Sequence, residues 1–131
     1  MQRDPLRGHL FENLVVLEFL KNRFEKAERS NLSYFRDSNH NEVDLIVPAG
    51  SDNWAVEIKS SQTIASDFFK GLEYFASLGS GRRVKKALVY GGNQNQTRSS
   101  AHIVAWNRIN TLFDTMSNRV TRKQRHISDI N

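Results

Sequence analysis

Residues 42–59, which read EVDLIVPAGSDNWAVEIK, decide the fold of this chain. Aliphatic residues dominate both ends of the segment, and the AGSD in its middle has the residue types of a turn. The pattern predicts two strands, Glu42–Pro48 and Asn53–Lys59, joined as a hairpin. If the hairpin closes around a four-residue loop, the numbers of paired residues sum to 101, which sets Asp44 opposite Glu57.

Three charged side chains interrupt these strands. Glu57 and Lys59 are two residues apart and therefore share a face, and cross-strand pairing adds Asp44 to it. Two carboxylates at a cross-strand distance of roughly 5 Å repel each other unless a cation lies between them. Lys59 neutralises them in part, and a divalent cation does so more fully. The alternative is a polar outer hairpin face with an ion pair, but the aliphatic run at 45–47 favours burial on both sides.

A third carboxylate precedes the hairpin. Apolar residues recur at helical spacing from Gly8 to about Ala27, which predicts a helix with a wide buried face. Glu12 lies on the same stripe as Val16 and Phe19, so it points toward the sheet or along its edge. It is then a metal ligand or a support for one. The alternative is a solvent-facing glutamate paired with Arg23 or His9.

The remaining pattern predicts an α/β fold with a mixed central sheet flanked by helices. The expected order is α-β-β-β-α-β-β-α, with an antiparallel meander of three strands and then a crossover to a parallel strand. The residues from Gly91 to Ser100 are mostly Gly, Asn, Gln and Ser, and predict a mobile loop. The other predicted elements are strands at 32–36, 87–90 and 103–106 and helices at 65–78 and 108–116.

Composition narrows the class of protein. The chain has 131 residues, 19 Lys plus Arg against 14 Asp plus Glu, and no cysteine. That length suits one domain, and the missing cysteines exclude disulfides, thiolate zinc sites and cysteine nucleophiles. No apolar run approaches the roughly 20 residues of a membrane span, and the start has no apolar signal segment. We expect a small basic domain of the cytoplasm.

Basic residues cluster twice. Arg82, Arg83, Lys85 and Lys86 form one cluster, and 119–125 contains the other. Each is either a phosphate-binding surface or an ordinary solvated one. The four histidines are scattered without metal-ligand spacing. Three aromatic residues could stack on bases, but core packing is the expected role of Tyr34, Phe35 and Trp106.

At these residues the sequence resembles the PD-(D/E)xK nuclease superfamily, whose core is the restriction-endonuclease-like α-β-β-β-α-β arrangement. More narrowly, it is similar to the C-terminal nuclease-like domain, of unknown function, in prokaryotic AAA-type ATPase proteins. The resemblance runs from about Gly8 to Trp106. The stretches that carry it are Gly8-His9-Leu10-Phe11-Glu12-Asn13, Tyr34-Phe35-Arg36-Asp37, Glu42-Val43-Asp44, Val56-Glu57-Ile58-Lys59-Ser60-Ser61 and Leu88-Val89-Tyr90-Gly91-Gly92.

The resemblance implies a phosphodiesterase core that uses Mg²⁺, with Mn²⁺ as a possible substitute, and acts on DNA. Asp44, Glu57 and the carbonyl of Ile58 would be metal ligands, and Glu12 would bind metal directly or through water. Lys59 would orient or deprotonate the attacking water and stabilise developing charge.

Two features depart from the family pattern. Val43 stands where the motif has proline, and no phosphate-binding Gly-x-x-x-x-Gly-Lys-Ser/Thr occurs in the sequence. The chain is therefore expected to be a stand-alone domain or part of a longer ATPase. We expect residues 1–117 to form the nuclease-like domain and 118–131 a loosely ordered basic tail. Two further readings are a catalytically silent module that serves an ATPase partner and a homodimeric junction resolvase.

Overall fold

A computed structural model describes residues 5–26, 31–79, 81–98 and 100–117. Its elements, in chain order, are one helix, three strands, a second helix, three further strands and a final helix. They are helix α1 (Pro5–Glu25), strands β1 (Ser33–Arg36), β2 (Glu42–Ala49) and β3 (Asp52–Lys59), helix α2 (Lys70–Ser77), strands β4 (Arg83–Tyr90), β5 (Gln96–Arg98) and β6 (Ala101–Ala105), and helix α3, described over 109–117. Short 3₁₀ turns at Ser66–Phe69 and Trp106–Arg108 lead into α2 and α3.

The strands form one mixed sheet in the order β1-β2-β3-β4-β6-β5. The first three strands are antiparallel neighbours, β3, β4 and β6 run parallel, and β5 is antiparallel to β6. The prediction of an α/β fold with a mixed, helix-flanked sheet is therefore confirmed. The meander and the parallel crossover after β3 are confirmed with it.

The hairpin register is the one that the sequence predicts. Leu45 pairs with Val56 and Pro48 with Asn53, so partner numbers sum to 101. The ladder continues one pair further than expected, to Ala49 and Asp52, and leaves a two-residue loop. Gly50 takes a φ of +60° there, a conformation that glycine adopts without steric cost.

Several predicted boundaries were wrong. The residues expected to form a loop between 91 and 100 include the edge strand β5, which donates and accepts hydrogen bonds along β6 despite its polar sequence. Trp106 leaves the sheet and begins a 3₁₀ turn. Helix α1 starts at Pro5 rather than Gly8, because proline is favoured in a first turn. β4 starts four residues earlier than expected, at Arg83.

Two apolar layers enclose the sheet. Phe19 of α1 and Phe113 of α3 pack edge to face at 5.0 Å, over the face that carries Val56 and Val89. The other face packs against α2, with Leu72 fully buried. Burial on both faces explains the consecutive apolar residues at 54–56 of β3 and at 87–90 of β4. Within the part of the chain that the structure describes, no helix is both long and apolar enough to cross a bilayer.

Candidate metal centre

An irregularity in β2 places the first candidate ligand. Asp44 and Leu45 together lie opposite the single residue Tyr34 of β1, so β2 has one extra residue at this point. Val43 consequently packs on the α2 side of the sheet with Ile46, although strict alternation would group it with Leu45. Bulges of this kind bend a strand and redirect side chains, and they are common beside active sites.

The two carboxylates meet where the β2–β3 ladder stops. Its last pair is Leu45 with Val56, one step before the predicted pair of Asp44 and Glu57. Beyond it, the Ile58 N–H donates to Asp44 Oδ2 at 2.8 Å, and the Asp44 N–H donates to Glu57 Oε1 at 3.3 Å. Each carboxylate therefore accepts a hydrogen bond from the other's strand. This cross-bracing fixes both side chains at the end of the ladder.

Glu57 is held in an environment that disfavours its charge. Its side chain is buried, and this burial raises the pKa of Glu57 to about 8, with the negative charge of Asp44 adding to the effect. The positive charge of Lys59 opposes the rise without cancelling it. A buried carboxylate beside a second carboxylate is an arrangement that a bound cation would relieve.

Lys59 reaches the pair from the same face of β3. Its Nζ lies 3.9 Å from Glu57 Oε2, and its side chain is 39 % exposed, so the ammonium group also faces solvent. Nζ also stands 5.4 Å from the ring centre of Phe68, within the range of a cation–π contact. Phe68 is thus a positioning residue that sequence reasoning missed, because its spacing indicates only a core face.

Glu12 lies near the carboxylate pair but not in a shared ligand cluster with it. Partial burial raises the pKa of Glu12, and Asp44 is the next contributor to the rise, which places the two groups within electrostatic reach. His9 and Lys59 oppose it. Of the two alternative partners of Glu12, the Arg23 guanidinium donates to the Pro48 carbonyl, and His9 is close enough to Glu12 to lower its pKa.

Two glycines let the chain pass close to the candidate site. A Cβ on Gly91 would lie 2.2 Å from the Ser60 carbonyl oxygen, directly after Lys59, and one on Gly71 would lie 2.1 Å from the Glu42 carbonyl oxygen. Both approaches exclude any larger side chain. The Gly91 N–H also donates to the Ser61 carbonyl at 2.9 Å, which ties the chain after β4 to the end of β3. Sequence reasoning placed Gly91 in a resemblance and at the start of a predicted loop, without its close approach to Ser60, and overlooked Gly71.

The basic cluster of β4 begins at the other end of the sheet. Arg83 pairs with Asp52, whereas Tyr90 pairs with Lys59, so about 23 Å of strand separates Arg83 from the end of β3, but Lys86 pairs with Ala55, two residues before Glu57. Its cations also have protein partners: Arg82 donates to Asn53 and to two carbonyls, Arg83 to Asp52, and Lys86 to Glu73. The second cluster, at Arg119, Arg122, Lys123 and Arg125, and the predicted tail at 118–131 lie outside the described residues.

The other candidate side chains have mixed placements. Phe35 packs against Phe75 at 5.2 Å, as expected of core packing, but Tyr34 and Trp106 are 69 % and 49 % exposed. His102 stacks against Trp54, and burial lowers the pKa of this imidazole. Asp37 caps its own turn, accepting hydrogen bonds from the main-chain N–H groups of residues 39 and 41.

The donor set at the end of β3 suits a hard cation with few protein ligands. Among the described residues, no group of three or more His, Cys, Asp or Glu side chains has a metal-binding arrangement. Catalytic zinc usually takes three protein ligands, whereas Mg²⁺ keeps several waters and is often held by one or two carboxylates. Asp44 and Glu57 therefore fit Mg²⁺ better than zinc.

The fold and this end of the sheet define a class: a mixed α/β domain with an acid pair and a lysine where a parallel strand ends beside a bulged neighbour. Comparison with protein families identifies the chain further. The model of a family described as a domain of unknown function (DUF4143) matches residues 7–109, and the chain belongs to that family. No curated protein and no solved structure matches it.

Proposed function

We propose that this chain is a Mg²⁺-dependent nuclease-type domain that hydrolyses phosphodiester bonds in DNA, on a core of the restriction-endonuclease type. The observation that carries the proposal is the buried Glu57 held against Asp44 with Lys59 at 3.9 Å. Desolvated like charges are costly in a folded protein. A phosphodiesterase site would explain this cost, because in such a site a divalent cation binds to the carboxylates and a lysine faces the substrate phosphate.

In the proposed site, Asp44 and Glu57 would hold the cation, Ile58 would contribute its carbonyl oxygen, and Glu12 would bind it directly or through water. Bound Mg²⁺ supplies a Lewis acid and lowers the pKa of coordinated water. Lys59 is exposed enough to contact a phosphate oxygen, and its fixed positive charge stabilises the charge that develops there. The cross-bracing hydrogen bonds keep Asp44 and Glu57 in place before the cation arrives, so little reorganisation is needed.

The experiment is a cleavage assay on the whole chain, using supercoiled plasmid and single-stranded DNA with Mg²⁺, Mn²⁺ or EDTA. We expect cutting with either metal and none in EDTA. Asp44→Asn and Lys59→Met should each lower the rate at least about a hundredfold. The matched controls are Asp114→Asn, an exposed carboxylate on α3, and Lys26→Met, an exposed lysine beside Pro48 at the other end of the sheet. Parent-like cutting by the site variants, or no cutting in either metal, would refute the proposal.

A second candidate is a nuclease-fold module without catalysis that serves an ATPase partner. Asp44 Oδ2 favours it, because this oxygen already accepts the Ile58 N–H and so has less capacity for a metal. Isothermal titration with Mg²⁺ separates the two functions. Binding at millimolar concentration or tighter that is lost in Asp44→Asn supports the nuclease, and the absence of binding supports the module.

A further inference from the structure

Helix α1 is apolar on two faces. Phe11, Val15 and Phe19 pack toward the sheet, as the core requires. A second row, which we name the apolar stripe, points outward: Leu10, Leu14, Leu17 and Phe24 are 55 %, 61 %, 58 % and 67 % exposed. Single exposed leucines are ordinary on protein surfaces, but a continuous row over about four turns marks an interaction surface.

The spacing of the apolar stripe indicates what covers it. Steps of four and three residues lead from Leu10 to Leu14 and Leu17, and the next steps lead to Lys21 and then Phe24. This alternation is the seam of paired helices, in which apolar side chains interlock along a narrow line. The occupant is therefore another helix, lying lengthwise along α1.

The charges beside the stripe select the partner and its direction. Arg7 and Glu25 are both exposed, and their separation of eighteen residues is about five turns, so they lie on the same side of the stripe at opposite ends of α1. A two-fold axis that pairs α1 with an antiparallel copy brings each Arg7 to Glu25 of the other copy. A parallel copy would place the two Arg7 side chains at the same level on opposite flanks and would bring neither of them to Glu25. The flanking charges are thus complementary to an antiparallel second copy.

The same two-fold axis aligns the apolar contacts. When the axis passes near residue 16, Leu14 meets Leu17 of the other copy and Leu10 meets Lys21. The alkyl stem of Lys21 can cover apolar surface while its ammonium stays in water. Every contact occurs twice, as a closed dimer requires. We propose that this chain forms an antiparallel homodimer in which the apolar stripes of two α1 helices pack together.

The dimer leaves the candidate metal centre open. Glu12 and the apolar stripe lie on nearly opposite sides of α1, because Glu12 shares the face of Val16 and Phe19. The dimer therefore does not rest on the proposed nuclease function. A variant that changes the oligomeric state leaves Asp44 and Glu57 intact, and a variant of these carboxylates leaves the stripe intact.

Sedimentation equilibrium of the whole chain, from about 1 to 500 µM, tests the dimer. We expect a dimer with a Kd on the order of 10 µM, a weak interface by the usual size classes. The double variant Leu14→Glu/Leu17→Glu should be monomeric at 500 µM. Its melting temperature should equal that of the parent at concentrations well below the Kd, where both proteins are monomers and both side chains are exposed. Asn110→Glu, on the exposed part of α3, is the control and should dimerise like the parent.

Charge reversal tests the antiparallel geometry. Arg7→Glu and Glu25→Arg should each weaken dimerisation about fivefold, and the double variant should recover parental affinity, because its swapped charges again face opposite partners. A parent that stays monomeric at 500 µM overturns the proposal. If the parent is monomeric and its stripe variants melt at a lower temperature than the parent, another part of the same chain covers the apolar stripe. If they melt at the same temperature as the parent, the stripe binds a different protein. The proposal is also overturned if neither the stripe variants nor the charge variants change the Kd of the dimer.

Discussion

Strand β3 carries a buried acid near each of its ends, and the nearest charged partner of one is a cation whereas that of the other is a second acid. Asp52 is 3 % exposed and Glu57 is 7 % exposed. Asp52 accepts a hydrogen bond from Arg83 at 3.2 Å, and its carbonyl accepts one from Arg82. Glu57 lies against Asp44, and its cation, Lys59, is at 3.9 Å.

Under the proposed function, this difference separates structural from functional burial of charge. An acid with a hydrogen-bonded guanidinium at its side can remain ionised in the folded state. An acid pressed against another acid is costly, and that cost persists in evolution where a ligand relieves it. Equal burial on one strand thus corresponds to two roles, which mutation and pH can tell apart.

The largest expected difference is in catalysis. Glu57→Gln should lower the Mg²⁺-dependent cleavage rate about a thousandfold, equivalent to about 4 kcal/mol, because the variant loses a negatively charged ligand. Asp52→Asn, an equally buried acid on the same strand, should cleave within about twofold of the parent below its melting temperature. Plasmid nicking rates at matched protein and Mg²⁺ concentrations measure both. Equal losses in the two variants would mean that general destabilisation, not the metal centre, controls activity.

The second difference is in the pH dependence of stability. The pKa of Glu57 rises from 4.5 to about 8 on folding, so the folded state binds the proton more tightly than the unfolded state does. Without metal, this group favours folding least at high pH. Its contribution to the free energy of unfolding is lost as pH rises from about 4.5 to about 8, on the order of 5 kcal/mol in total. Urea denaturation in EDTA at pH 5 and pH 8 measures the loss.

Glu57→Gln supplies the matching control for that pH series. The amide resembles the neutral carboxyl group, so the variant should match the parent at pH 5 and be more stable than it by a few kcal/mol at pH 8. Mg²⁺ should stabilise the parent at pH 8 and should do so less at pH 5, where protons compete for the carboxylates. A parent and a variant that lose stability in parallel would place the pH dependence elsewhere in the chain.

At the other end of β3 the sign of the effect reverses. Asp52→Asn should destabilise the protein by about 2 kcal/mol at pH 8, because the charged hydrogen bond from Arg83 is weakened in a buried site. The exposed Asp114→Asn, the control, should change stability by less than about 0.5 kcal/mol. Chemical denaturation of the three proteins measures this. A stabilising Asp52→Asn would remove the contrast between the two acids.

The sequence predicts the frame of the candidate site better than its fine structure. Turn residues and aliphatic runs were enough to predict the hairpin, its register and the closeness of Asp44 and Glu57. The bulge that redirects Asp44 has no signal, because Asp44 and Leu45 fit a regular strand equally well. A close approach between distant parts of the chain also leaves no local signal in the sequence. Gly71 must be glycine because the Glu42 carbonyl, which is distant in sequence, lies where a Cβ would be.

Edge pairing explains the other errors. β5 consists of Gln, Thr and Arg, which predict a loop, yet hydrogen bonds to β6 hold it in the sheet. An edge strand exposes most of its side chains, so its sequence need not alternate. The position of Arg83, far from the Asp44 and Glu57 carboxylates, likewise follows from strand direction and not from any local pattern.

The smallest expected effect on the cleavage rate comes from the contacts that position the cations beside the two acids, Arg83 beside Asp52 and Lys59 beside Glu57. Arg83 is positioned by a carboxylate, whereas Lys59 lies over the ring of Phe68. Phe68→Leu should lower the cleavage rate about threefold, since a cation–π contact of a partly exposed lysine contributes about 0.5–1 kcal/mol. Phe69→Leu is the matched control, because Phe69 is equally buried but makes no such contact with Lys59 in the described part of the chain. Cleavage rates well below both melting temperatures separate positioning from packing. Equal rates in the two variants would show that the ring does not position the lysine, and that Glu57 alone sets its place.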